Sequence, residues 1–141
     1  MRLKGALAEH WLRRGELAKA RDAGEQFLDS AMRHDTHTHV FGARWLLANV
    51  ALAESEPGAA VAHLDDALER LQDHPAPLIT WRIYAALCRA RSALGETRGA
   101  QDARHEAAAI IRRVADSVED EKLRAAFLSS SAVREVLGVS P

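Results

Sequence analysis

Apolar residues recur along the chain at helical spacing, in pairs of segments joined by short turns. Leu3, Leu7 and Trp11 stand at i, i+4 and i+8, one face of a first helix. Arg14-Gly15-Glu16 breaks that pattern, and Gly15 can take the positive φ at which helices end. Leu17, Ala20, Phe27, Leu28 and Ala31 outline a second helix. The same order follows with Leu47, Ala51 and Leu52, a Ser55-Glu56-Pro57 turn, then Val61, Leu64, Leu68 and Leu71. It follows again with Ile83, Leu87, Ala90 and Leu94, a Gly95-Glu96-Thr97 turn, then Ala100, Ala103, Ala107, Ile110, Ile111 and Val114. Pro57 suits the first turn of a helix, where its missing N–H costs nothing. No useful stretch alternates with period two, so no sheet is expected.

Sliding the sequence against itself by 40 residues aligns Leu7, Leu47 and Leu87, then Glu16, Glu56 and Glu96, then Ala20, Ala60 and Ala100. Three identical triples, surrounded by columns of matched size, point to repetition. The linkers agree: residues 33–38 (RHDTHT) and 73–77 (DHPAP) lie 40 apart, and Pro75 and Pro77 end the preceding helix. The sequence thus predicts an all-α single domain. Three helix hairpins occupy about 1–35, 36–75 and 76–115, and capping helices occupy 116–141. Ser117 with Asp120 resembles a capping box for a helix carrying Leu123, Ala126, Phe127 and Leu128. Ser129-Ser130-Ser131 starts a last helix through Leu137, stopped by Gly138.

Composition narrows the class. With 28 Ala and 17 Leu in 141 residues, and 48% hydrophobic residues, the chain is made of helix formers and is not disordered. A formal charge of −1 argues against a polybasic nucleic-acid or membrane protein. Cys88 is the only cysteine, so no intrachain disulfide forms. Glu9, His10, Arg13 and Arg14 interrupt any signal-like apolar region, and no stretch approaches a membrane span. A cytoplasmic location is expected.

At Gly15-Glu16-xxx-Ala20-(x6)-Phe27-Leu28 and Gly95-Glu96-xxx-Ala100-(x6)-Ala107, with Leu7-Ala8-xx-Trp11 and Leu47-Ala48-xx-Ala51 upstream, the chain resembles the tetratricopeptide repeat family. The resemblance spans roughly residues 1–115. It implies a right-handed α-solenoid of antiparallel helix pairs with a concave groove for a peptide or protein segment. The period of 40 exceeds the family's roughly 34 residues, and the large-aromatic and proline positions are only partly kept. Longer repeats of this sort look like the helical regions of large bacterial regulators such as LuxR-type activators, whose closing segment often reads like Lys122-Leu123-Arg124-Ala125-Ala126-Phe127-Leu128. HEAT-type repeats share the period, but the Gly-Glu turn followed by a small Ala favours the tetratricopeptide reading.

The resemblance implies that the first helix of each pair lines the groove. One inward stripe then holds Glu9 and Arg13, followed by Trp45 and Asn49, then Arg89, with Arg2 and Arg82 on the rim. Trp45 beside Asn49 and arginines is the mixed surface that anchors peptides. Asn49 would hydrogen-bond a ligand backbone, and Arg82 and Arg89 would pair with its carboxylates. The expected function is non-catalytic: a protein-interaction or scaffold module, the alternative being the sensor segment of a signalling ATPase or transcription activator. No cap precedes the first repeat, so its open apolar end would pair with a second copy or continue into a longer regulator.

Rival chemistry is thin. His34, His37 and His39, with Asp35, could supply Zn²⁺ or Ni²⁺ ligands. HExxH spacing and a cysteine pair are lacking, so a linker whose Asp35 or Thr36 caps the next helix is the preferred reading. Cys88 aligns with Ala8 and Ala48 and is expected as a buried, inert thiol. His10, His63 and His105 have no nucleophile or carboxylate partner at a recognisable spacing, so neither enzyme nor cofactor is expected. Charge is uneven: unit two carries a net −4 and unit three a net +4, with seven arginines against three acids. The two units are expected to complement each other along the stack. Nucleic acid is not the expected partner, because aromatic interleaving is absent.

Overall fold

The computed structural model describes the backbone of residues 2–138 and the side chains of residues 5–138. It is all-helical among those residues: α1 (Arg2–Arg13), α2 (Leu17–Arg33), α3 (His37–Ala53), α4 (Pro57–Leu71), α5 (Pro77–Ala93), α6 (Thr97–Ser117), α7 (Glu121–Ser129) and α8 (Ser131–Leu137). Each helix from α1 to α6 packs on its neighbour in the chain, and α1 also touches α3, as α3 touches α5. Helices α2, α4 and α6 make no comparable contact with one another. No helix among the described residues is long and apolar enough to cross a membrane.

The turns repeat as closely as the helices. Gly15, Ser55 and Gly95 all stand at positive φ (76°, 61° and 78°). The amide of the next residue reaches back to a carbonyl five residues earlier: Glu16 to Trp11, Glu56 to Ala51 and Glu96 to Arg91. This is the Schellman closure, which satisfies carbonyls a helix end would leave open. Asp35, at φ 50°, ends α2 the same way, with the Thr36 amide on Ala31. Each Glu backbone carbonyl then accepts the first bond of the following helix, from Ala20, Ala60 and Ala100. The Glu side chains make no capping bond, but a carboxylate beside a helix N-terminus is stabilised by the dipole.

The three alanines are buried throughout, at 0%, 0% and 4% exposure. A larger side chain there would force the helices apart. The central core joins α3, α4 and α5 through Phe41, Leu64, Leu71, Ile83 and Leu87 among small residues such as Ala48, Ala60 and Ala86. A second cluster joins α5, α6 and α8 through Trp81, Ile110, Ile111, Val133 and Val136, with Phe127 of α7 edge-on to Trp81 (6.2 Å between centroids).

Three local expectations are corrected. Leu7 is 44% exposed, whereas Leu47 and Leu87 are 4% and 2% exposed. Leu47 lies under α2, so close to Gly24 that a Cβ there would stand 2.8 Å from it, and α4 covers α5. No described helix covers α1 in the same way. Ser117 does not cap α7; it ends α6, its hydroxyl donating to the Val114 carbonyl (2.7 Å). Asp120 is the cap, its Oδ1 accepting from the amides of Lys122 (2.8 Å) and Leu123 (3.1 Å). Thr36 holds the position preceding α3 but makes no side-chain cap, and Asp35 occupies the turn.

Ser55 carries a side chain at a backbone conformation that favours glycine. Ser55→Gly is therefore expected to stabilise the fold by about 1 kcal/mol. Asp35→Gly should gain less, because a short polar side chain tolerates the left-handed region. Denaturant midpoints of the two variants and the parent check the order.

Candidate functional site

Residues 40 apart meet on the side of the molecule formed by α3 and α5. Arg89 Nη2 donates to Asn49 Oδ1 at 2.8 Å, and Asn49 Nδ2 donates to the Trp45 carbonyl at 2.9 Å. The Arg82 guanidinium carbon lies 5.9 Å from the Trp45 ring centroid and 5.3 Å from that of Trp81, within cation–π range of both. These side chains line a cavity of about 530 Å³ together with Ala85, Cys88 and Arg104. Its far wall is α8, through Ala132, Glu135 and Val136. That size is ordinary for a ligand site.

Of the residues expected to line a groove, Trp45, Asn49, Arg82 and Arg89 share this cavity. Glu9 and Arg13 do not; they pair with each other along the exposed face of α1 at 3.2 Å. The Arg2 side chain lies outside the described residues. Asn49 makes one bond from each end of its amide, the oxygen accepting from Arg89 and the nitrogen donating to the Trp45 carbonyl. The first of these bonds fixes the direction of the Arg89 guanidinium. Cys88 is half-buried and lines the cavity, unlike the fully buried Ala8 and Ala48 of its column. The reason is at hand: α5 covers α3, but α8 is only seven residues long, packs on α6 and α7, and leaves this face of α5 open.

Trp81, Arg104 and Glu135 are the residues that sequence reasoning missed. Trp81 follows the same inward face as Ala85 and Cys88, so the helical period could have found it. Arg104 Nε donates to the Val136 carbonyl at 2.9 Å, tying α6 to the end of α8. Only the fold-back of α8 brings Glu135 in, and no local pattern announces that.

The expectation that acidic and basic units neutralise each other fails in the side-chain contacts. In unit two, Asp66 takes Arg44 (3.0 Å) and Arg70 (3.7 Å), and Glu54 takes Arg21 of unit one. None of the seven arginines of unit three pairs with a carboxylate among the described residues. They are held instead by rings, an amide or carbonyls, as for Arg82, Arg89, Arg91 and Arg104, or have no partner. The two acids of unit two that form ion pairs among the described residues, Glu54 and Asp66, find their partners within the first two units.

The linker histidines diverge. His34 Nδ1 lies 2.8 Å from the Ser30 carbonyl, His37 stacks on His74 with centroids 3.5 Å apart, and His39 meets Phe27 edge-on at 5.9 Å. Among the described residues no group of three or more His, Cys, Asp or Glu side chains gathers as a metal site. His63 does have partners, from other helices: Arg44 Nη1 approaches its Nδ1 at 3.1 Å, so that nitrogen accepts and the ring is neutral. Burial, then the Arg44 charge, pulls its pKa below 6.5, against weaker opposing pulls from Asp66 and Glu25.

Comparison with models of known protein families, with curated proteins and with solved structures finds no match.

The His63 arrangement sets a pH dependence. Because the folded pKa is lowered, the unfolded chain takes up the proton first as pH falls. The neutral ring's contribution is therefore whole above pH 6.5, declines as pH drops through that value, and levels off below the folded pKa. His63→Gln should flatten this part of a stability-against-pH curve measured by urea unfolding.

Proposed function

We propose that this chain is a non-catalytic protein-interaction module, a tetratricopeptide-like right-handed α-solenoid whose groove beside α3 and α5 binds an acidic peptide or protein segment. The observation that carries this reading is the set of three arginines, Arg82, Arg89 and Arg104, that line one cavity with Trp45 and Trp81 and pair with no carboxylate among the described residues. Glu135 is the one acid on the lining, so the cavity keeps a net positive charge.

The solenoid reading draws on the contact between α1 and α3 and between α3 and α5, with α2, α4 and α6 apart. Helices that approach form the inner side of a curved stack, and those that spread form the outer side. Arg82 offers a planar fork already spread against two rings, and Arg89 is oriented by Asn49. Such pre-ordering reduces the entropy lost when a carboxylate arrives. Trp45, which is only partly buried, supplies the apolar anchor, while Trp81 is buried behind Arg82, since aromatic and arginine side chains dominate the energy of such interfaces.

The test is a random peptide array probed with the whole chain. Peptides rich in Asp and Glu with a neighbouring apolar residue should be retained. Arg82→Ala and Arg89→Ala should each weaken retention by more than tenfold, as expected for loss of a charge-assisted bond. Asn49→Ala should act through Arg89 and add little to Arg89→Ala. Circular dichroism should remain that of the parent. The single thiol gives an independent readout: Cys88 should react with iodoacetamide in the native protein and be shielded by a retained peptide. Retention that ignores acidic content, or that survives both arginine substitutions, rejects the groove.

A further inference from the structure

A second cavity of about 470 Å³ shares no lining residue with the first. It opens where α4, the linker before α5, and the end of α6 come together. Leu68 and Leu71 of α4 form one wall, Ile110 and Val114 of α6 the other, and Thr80 and Tyr84 of α5 the floor. Pro75, Ala76 and Pro77 make the lip. The cleft exists because α6 outlasts its counterpart: α4 has 15 residues and α6 has 21, so the last turns of α6 extend past the end of α4 on the side of the linker, although α5, α7 and α8 cover their other faces.

The lining is mostly apolar, with a few polar groups. The Thr80 hydroxyl donates to the Ala76 carbonyl at 2.8 Å and is occupied. Gln72, Tyr84 and Arg113 line the same cleft, and among the described residues none of their side chains has a hydrogen-bond or ion-pair partner. Burial and the nearby Glu106 raise the Tyr84 pKa, against an opposing pull from Arg91, so the phenol keeps its proton and can donate. One cation and two neutral donors around a greasy cleft complement an apolar body that ends in a single negative charge.

We propose that this cleft binds a small amphipathic monocarboxylate, its carboxylate on Arg113 with Gln72 and Tyr84 as further donors, and its apolar body between α4 and α6. The occupant is a free small molecule. A cleft of this volume accommodates a body of about ten heavy atoms with room to spare. Binding there bridges α4 and α6, the outer helices of two successive pairs, and is independent of the peptide reading of the other cavity.

Octanoate is the probe, with octan-1-ol and octylammonium as controls of equal chain length. Titration of each into the isotopically labelled full chain, followed by amide NMR, should give saturable shifts with octanoate. The shifts should concentrate at residues 68–84 and 110–114. Octanoate should bind at least tenfold tighter than octanol, and octylammonium more weakly still. Arg113 is exposed, so Arg113→Gln should fold as the parent does, erase the preference for octanoate over octanol, and leave octanol binding unchanged. Val114→Trp, which fills the cleft, should abolish both. The proposal is overturned by the absence of saturable octanoate shifts at millimolar concentration, by shifts centred on Trp45 and Arg89, or by an octanoate preference that survives Arg113→Gln. An apolar peptide that binds the cleft more tightly than octanoate, with no dependence on Arg113, overturns it in favour of a protein partner.

Discussion

The hairpin turn at Gly15, Ser55 and Gly95 constrains everything downstream of it. One residue in the left-handed region and two backward backbone hydrogen bonds set the angle at which the next helix leaves. Five residues after that turn stands an alanine with almost no exposure, so the second helix can return close against the first. Because the same turn recurs every 40 residues, successive pairs share a register. The bond from Arg89 to Asn49, 40 residues away and 2.8 Å long, is a consequence of that register. A leucine at Ala60 would push α4 from α3, and the damage would reach the cavity through the displacement of α3, although Ala60 is not among its lining residues.

Much of this was legible because it is local chemistry. Helical period, the glycines at 15 and 95, and the prolines at 75 and 77 act over a few residues, and the all-helical outcome follows from them. Trp45, Asn49, Arg82 and Arg89 could be grouped because helical face and repeat period together place them on one side. Glu9 and Arg13 share the column, yet four residues apart on one helix they satisfy each other first. What could not be read depends on elements without a periodic signal. The fold-back of the short α8 carries Glu135 and Val136 to the cavity, and its shortness leaves Cys88 half-exposed. Ser55 and Asp35 at positive φ were equally hidden, since neither residue type advertises that conformation as glycine does.

The distribution of charge could be counted in the sequence, but not who would neutralise whom. Net charges of −4 and +4 in adjacent units invite the idea of mutual attraction. Pairing instead depends on which faces the helices present. Asp66 is placed one helical turn from Arg70 and opposite Arg44, both within its own unit, and Glu54 at the end of α3 faces Arg21 on α2. The two basic side chains of unit two are thus consumed internally, and among the described residues none of its acids pairs with an arginine of unit three.

That leaves the arginines of α5 and α6 in contacts of a particular kind. Indole faces, an asparagine oxygen and helix-end carbonyls fix the direction of a guanidinium without cancelling its charge. A salt bridge in the same place would orient the group equally well and remove its field. A carboxylate arriving at Arg82 or Arg89 therefore need break no ion pair, and it meets side chains whose rotamers are already chosen. Glu135, at the α8 edge, makes that edge a less favourable place for a second negative charge than the α5 wall that carries Arg82 and Arg89. The cavity thus has a polarity along its length, set by one acid that only the fold-back of α8 brings there.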